Sequence, residues 1–280
     1  YWKNEETELV HFIGKDNIVF HCIIFPSMLK AHGEYILPKN VPANEFLNLE
    51  GEKISTSKNW AVWIHEYLED FPNKEDVMRY VLTTNMPETK DSDFTWKDFQ
   101  SKNNNELVAI YGNFVNRVIV LVNKYYKGNI PTPELVTDED LEIISSVKLA
   151  RDKISLNLEK FRFRESNSEM INVARIGNKY LADNEPWKQI KNNPSRTKTI
   201  LFISVQIVSA LAYLSEPFLP FTSFKLKSIL NIERQIEWKE ILNFNIIKSG
   251  HKINKESFLF EKIEDKEIHN QYQKLQKSKK

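Results

Sequence analysis

The chain has 280 residues, 41% hydrophobic and 28% charged, a composition that builds cores and excludes a disordered chain. Seven glycines disfavour collagen-like and linker readings; the lone Cys22 excludes an internal disulfide and a cysteine-rich zinc site, and fits a reducing, cytoplasmic compartment. The net charge of +1 hides an asymmetry: residues 1–100 hold 10 Lys+Arg against 17 Asp+Glu, and residues 101–280 hold 29 against 21. A basic second half suits either a polyanionic partner or a set of solvated, lysine-rich helix faces.

The first hundred residues mix strand and helix signals. Phe12-Ile13 runs into Gly14-Lys15-Asp16 as a short strand runs into a turn. Phe20 to Ala31 reads as a helix that Pro26 must either kink or begin. Glu45 to Leu49 alternates as a strand, Glu50-Gly51 makes a tight turn, and Lys53-Ile54-Ser55 restarts extended. Short helices near 61–71 and 74–84 follow. Strand, helix and strand again point to part of an α/β sheet.

From about residue 105 the period becomes helical, with Leu107, Tyr111, Phe114, Val118, Leu121 and Tyr125 on one stripe. Asn129 to Pro133 breaks that helix. Thr137 stands three before Asp140, close to a capping box, ahead of a helix to about Phe161. Another helix covers 166–183. Asn193-Pro194 caps and opens the apolar helix 197–214, whose interrupting Ser and Gln residues suit a buried helix better than a membrane span. Pro217 and Pro220 end it, and a last helix carries Phe224 to Leu230. The final fifty residues read as polar and broken, with a fraying end at Lys277-Ser278-Lys279-Lys280. The fold expected is α/β followed by all-α.

Four stretches carry candidate chemistry. In Lys53-Ile54-Ser55-Thr56-Ser57-Lys58 two lysines flank three hydroxyls on a loop, a set that could clamp a triphosphate and steady the charge on departing pyrophosphate. An ordinary solvated turn has the same composition. In the stretch from His11 to His21, Gly14 permits close backbone approach. Asp16 suits either a ribose hydroxyl or a helix cap, and His21 lies in an apolar stretch as a core histidine would. Asn113 and Arg117 are four apart and share a helix face, either as base-edge readers or as a solvated surface. Pro186 could hold Trp187 at a surface, where an indole stacks on an unpaired base; a core tryptophan is the alternative. The six histidines show no HExxH spacing and no pairing with Cys22.

In this order the four stretches resemble the methionyl-tRNA synthetase family of class I aminoacyl-tRNA synthetases. HFIGKD with the following FH (11–21) is similar to that family's stretch in the second half of its Rossmann domain, and KISTSK (53–58) to its lysine-serine loop, usually KMSKS. Asn113, Arg117 and NEPW ending at Trp187 are similar to its anticodon-reading positions. The resemblance runs from Tyr1 to about Asn231. It implies three parts: the C-terminal part of a Rossmann catalytic domain with the loop region (1–104), a helical anticodon-binding domain (105–232) and a C-terminal extension (233–280).

It also implies a reaction: methionine attacks the α-phosphate of ATP, carried with Mg2+, and the methionyl group of the adenylate passes to methionine tRNA. Lys53 and Lys58 would be catalytic. Asp16, Lys53, Ser55, Thr56, Ser57 and Lys58 would hold ATP, His21 would line the methionine pocket, and Asn113, Arg117 and Trp187 would contact the anticodon. Thr56 stands where the family usually has Lys, so either Lys58 supplies the charge or the loop is weaker. The HIGH-type stretch, the aromatic part of the methionine pocket and the zinc-bearing insertion of the family are absent, which places them upstream of Tyr1 in a longer parent. The expectation is a ligase piece that binds no metal of its own, enters no membrane and forms no adenylate alone. The alternatives are a non-catalytic anticodon-binding module or another class I synthetase.

Overall fold

The computed structural model describes residues 1–234, 236–255 and 258–278. Two compact units are present, one made by Tyr1–Ala61 with Asn85–Thr95, the other by Val62–Thr84 with Trp96–Lys277. The mixed stretch 1–104 is thus shared between both units, and residues 233–277 belong to the second.

In the first unit β1 (Ile13–Gly14) leads through a 3-10 turn at Lys15–Asn17 and a π-turn at Phe20–Ile24 into α1 (Phe25–His32). Pro26 follows the π-turn without a break in the helical run: the Phe25 N–H reaches back to the Phe20 carbonyl just before the proline, which has no N–H to donate. Gly33 ends the helix at φ +84°, a left-handed turn that returns its N–H to the Leu29 carbonyl at 3.1 Å. β2 (Ala43–Asn44) then pairs parallel with β1. β3 (Leu47–Leu49) and β4 (Glu52–Lys53) form an antiparallel hairpin. Glu50 (φ +51°) and Gly51 (φ +77°) are both left-handed, the turn whose twist matches the strands it joins. β5 (Ser92–Phe94) runs parallel to β3. Leu49, Trp60 and Phe94 are buried, with the Trp60 indole N–H on the Leu49 carbonyl at 2.9 Å.

Two small sheets, β1–β2 and β4–β3–β5, replace the single sheet expected from sequence. The expected strand 45–49 is shortened to Leu47–Leu49 because the Glu45 N–H bonds the Pro87 carbonyl and the Phe46 N–H bonds the Asp91 carboxylate. Neither amide is left for a ladder.

The second unit is helical apart from connecting segments. Its elements are α2 (Ile64–Asp70), α3 (Glu75–Thr84), α4 (Trp96–Lys102), a π-helical stretch Asn103–Gly112, α5 (Asn113–Tyr126), α6 (Asp138–Glu159), α7 (Phe163–Asn184), α8 (Pro186–Asn192), α9 (Pro194–Leu214), α10 (Pro220–Ile229), a 3-10 turn Trp238–Asn243 and α11 (Asp265–Ser278). The helical run that ends at Tyr126 begins at Trp96, earlier than its stripe implied. Trp96 and Phe99 are buried in a ring cluster with Tyr67 and Phe71.

Among the described residues two helices are long and apolar enough to cross a membrane, Trp96–Tyr126 and Pro194–Leu214. The second is the centre of the bundle, buried from Ile203 to Leu214. Its polar residues are satisfied there. Ser204 and Ser209 donate to the carbonyls four residues back, and Gln206 bonds the backbone at Ile246 and Ile247. Asn193 caps α9, its side chain accepting the Arg196 N–H. At α6 the Asp140 carboxylate accepts the Thr137 N–H at 2.9 Å.

The expectation of a broken, polar C-terminal stretch is corrected. Ile241, Ile247, Ile253, Ile263, Ile268 and Leu275 are buried. Asn104 bonds both the carbonyl and the N–H of Ile263, and Gln271 and Lys274 of α11 bond the Asp70 carboxylate of α2. Lone apolar residues among lysines and glutamates each found a neighbour in the bundle, which periodicity over so few positions could not show. Of the end expected to fray, Lys277 lies in α11, and Lys279 and Lys280 lie outside the described residues.

Candidate functional site

The lysine-serine stretch of the first unit is a closed turn. Ser55 and Trp60 exchange both backbone hydrogen bonds at 2.9 Å. Between them the Asn59 N–H reaches the Thr56 carbonyl, with Asn59 left-handed at φ +51°. The Ser55 hydroxyl bonds the Ser57 hydroxyl at 3.1 Å and accepts the Lys58 N–H at 3.3 Å. Thr56, Ser57 and Lys58 are exposed, above a Trp60 that anchors the turn in the core. The Lys53 ammonium lies 5.4 Å from the centre of the Phe46 ring.

Lys15 lies 4.4 Å from that same ring, so the GKD segment and the lysine-serine stretch meet at Phe46. The Lys15 ammonium is also clamped by Asp91 at 2.7 Å and by Glu45. Hydrogen bonds to Asp91 and Glu45 hold it above the usual lysine range, and Lys15 in turn holds Asp91 below the usual carboxylate range. Next along, the Asp16 carboxylate folds back over Gly14; a Cβ there would stand 2.7 Å from Asp16 Oδ1, so any other residue at 14 would push this exposed carboxylate aside. Neither the 3-10 turn nor the π-turn has a side-chain cap, which leaves Asp16 exposed rather than capping.

His21 faces His11, Nδ1 to Nδ1 at 3.2 Å with the rings edge to face. One ring must donate and the other accept. Burial and then the charge of His21 hold His11 below the usual imidazole range. His21 is therefore oriented by a partner ten residues earlier, a role sequence reading gave to no residue.

In the second unit Arg117 and Trp187 come together. The guanidinium of Arg117 lies 5.1 Å from the centre of the Trp187 ring, and both side chains are half-buried. Asn113 is exposed one turn before Arg117. Three features set this face. Gly177 of α7 lets α5 approach: a Cβ there would overlap Phe114 Cζ at 2.2 Å. Asn178, the next residue, donates to the Ile110 carbonyl at the end of the π-helical stretch and accepts from Arg117 at 3.5 Å. Glu185, left-handed at φ +38°, turns the chain between α7 and α8, and the buried Pro186 starts α8 so that Trp187 is presented in its first turn.

A buried ion-pair network holds that turn. Arg196 grips Asp140 with two nitrogens, one at 2.9 Å, and bonds the Asn184 amide oxygen at 2.7 Å. Tyr180 donates to Asp140 at 2.6 Å, and Gln189 donates to the Asn184 carbonyl at 2.6 Å. Burial raises the Asp140 carboxyl, but the hydrogen bonds from Arg196, Tyr180 and the Thr137 N–H outweigh it and hold the group below the usual carboxylate range. Sequence reading gave Asp140 a capping role only and passed over Arg196. The available signal was an arginine in the first turn of an apolar helix, where the helix dipole disfavours a cation. Among the described residues no group of three or more His, Cys, Asp or Glu could hold a metal ion.

Comparison with known proteins covers both units. A family model described as "tRNA synthetases class I (M)" matches residues 1–119, and one described as "Anticodon binding domain of methionyl tRNA ligase" matches residues 130–280. Methionine–tRNA ligases of Flavobacterium psychrophilum and Bacteroides fragilis are 60% and 59% identical over 280 residues, each covering 100% of this chain. The chain spans 41% of the length of these curated relatives. Among solved structures, apo Mycobacterium tuberculosis methionyl-tRNA synthetase superposes with a TM-score of 0.81 at 21% identity, over 91% of this chain and 50% of that one. The same enzyme in complex with methionyl-adenylate gives 0.80 at 23%, over 90% and 49%. These structures share the fold, helical with small sheets, and the family match spans more than half of the residues: the chain belongs to the methionyl-tRNA ligase family.

Proposed function

We propose that this chain is the part of a methionine–tRNA ligase that supplies a phosphate-clamping loop and an anticodon-reading surface. The pairing of Arg117 with Trp187, beside the exposed Asn113, carries the reading. A half-buried indole already stacked on a guanidinium offers one flat platform for an unpaired base, worth about 1–3 kcal/mol of stacking. The Asn113 amide and the Arg117 fork have the donors and acceptors that read base edges.

In the parent enzyme the methionine carboxylate attacks the α-phosphorus of ATP, and pyrophosphate leaves; Mg2+ accompanying the ATP would offset charge on its phosphates. Lys53 and Lys58 neutralise the charge that grows on the leaving group, and the Ser55, Thr56 and Ser57 hydroxyls bond its oxygens. Asp16, freed from capping, accepts from an adenosine hydroxyl. His21 faces the methionine side chain. The methionyl group then passes to the terminal adenosine of methionine tRNA.

Binding of the chain to methionine tRNA and to the same tRNA with an altered anticodon tests the reading. The wild-type chain prefers the intact anticodon, and Trp187→Ala removes the preference. Equal affinity of the wild-type chain for both tRNAs would count against it. The chain alone gives no ATP–pyrophosphate exchange approaching that of a full-length relative.

A further inference from the structure

The turn between α6 and α7 breaks two local rules at once. Helix α6 ends in a Schellman motif: the Phe161 N–H bonds the Leu158 carbonyl at 3.0 Å and the Arg162 N–H bonds the Asn157 carbonyl at 2.8 Å. The residue this motif puts in the left-handed region is usually glycine; here it is Phe161, at φ +58°. A bulky residue there is costly, and such strain persists where the side chain is used. The second exception is Arg164, in the first turn of α7, where the helix dipole favours an acid.

The five residues read Lys160-Phe161-Arg162-Phe163-Arg164, with cations alternating with rings. The two phenyl rings are 6.3 Å apart, and Lys160 and Arg162 are exposed. Arg162 pairs with Glu165 at 3.8 Å, with both side chains more than half exposed. A pair of that kind is weak and does not neutralise the patch. Lys160 also faces the carbonyl end of α6, which accounts for that cation but not for the exposed Arg162.

We propose that this turn is a second nucleic-acid contact, which takes the ribose–phosphate backbone of an RNA stem, the cations on phosphates and the ring edges against ribose. That the polyanion is RNA rests on the function proposed above; the surface itself does not. Helix α7 has 22 residues and so places this turn roughly 30 Å from the Asn184–Trp187 end. The contact is therefore separate from the anticodon platform and blind to sequence.

A short RNA hairpin of arbitrary sequence, without any tRNA anticodon, is the probe. At low salt the wild-type chain binds it, and Lys160→Glu with Arg162→Glu weakens binding at least tenfold. The double change also reduces the slope of log affinity against log salt by about two, one unit per phosphate lost. Circular dichroism and thermal unfolding identical to wild type confirm that the double variant folds; should it not, Lys160→Gln with Arg162→Gln, expected to weaken binding several-fold, replaces it. No hairpin binding by the wild-type chain, or binding and salt slope unchanged by the substitutions, overturns the proposal. Loss of anticodon preference with hairpin binding intact overturns only the function proposed above.

Discussion

The two candidate sites are built in opposite ways. Around Lys53–Lys58 the functional side chains are exposed, and the turn is held by a few backbone hydrogen bonds and the buried Trp60. Its neighbour Lys15 is held by ion pairs that solvent reaches. Around Trp187 the functional face rests on a buried network of Asp140, Tyr180, Asn184 and Arg196. A surface meant to tell one base from another gains from being set before its ligand arrives. On the function proposed above, a loop that follows charge from a bound triphosphate to departing pyrophosphate gains from being free to shift.

The contrast is broken most directly at Arg196. Arg196→Ala leaves Asp140 buried without its partner, and we expect a loss of about 3–5 kcal/mol, read from urea unfolding. A midpoint like that of wild type would mean the network holds nothing. Gly177→Ala comes next. Its Cβ overlaps Phe114, and the strain of an overpacked core is about 1–3 kcal/mol. Because the shift falls between α5 and α7, anticodon preference should weaken along with the melting temperature.

A third test uses pH. Asp140 titrates below its unfolded value, so the stability it confers is present above the unfolded aspartate range and is lost as pH falls through its lower, folded value. Unfolding followed from pH 7 downward should show an acid limb that Asp140→Asn flattens. The smallest effect is expected at Lys15. Lys15→Met should leave the melting temperature nearly unchanged yet increase hydrogen exchange of the Phe46 amide, which Asp91 anchors. A large fall in melting temperature would show that the first unit is as firmly held as the second.

The sequence made local features legible and distant ones not. The Glu50-Gly51 turn, the Asn193 cap and the proline start of α8 follow from two or three adjacent residues whose backbone preferences admit little else. Asn113 and Arg117 share a face because four residues make about one helical turn. Nothing local shows that Trp187 meets Arg117, since their approach depends on Gly177 and on a turn fixed by an aspartate at 140 and an arginine at 196. The division of β2 from β3 was equally hidden: it is decided by acceptors at Pro87 and Asp91. Spacing gave Asp16 a capping role as readily as a ligand role, and only the coordinates show its carboxylate lying over Gly14.

The π-helical stretch Asn103–Gly112 has a consequence for where Arg117 points. It precedes α5 without a break, and Asn178 secures its last turn at Ile110. Adding or deleting one residue there would swing everything downstream by about 100° around the helix axis. Arg117 would then point into the bundle or away from the indole. The length of this stretch, rather than the side chains along it, therefore sets the direction of Arg117.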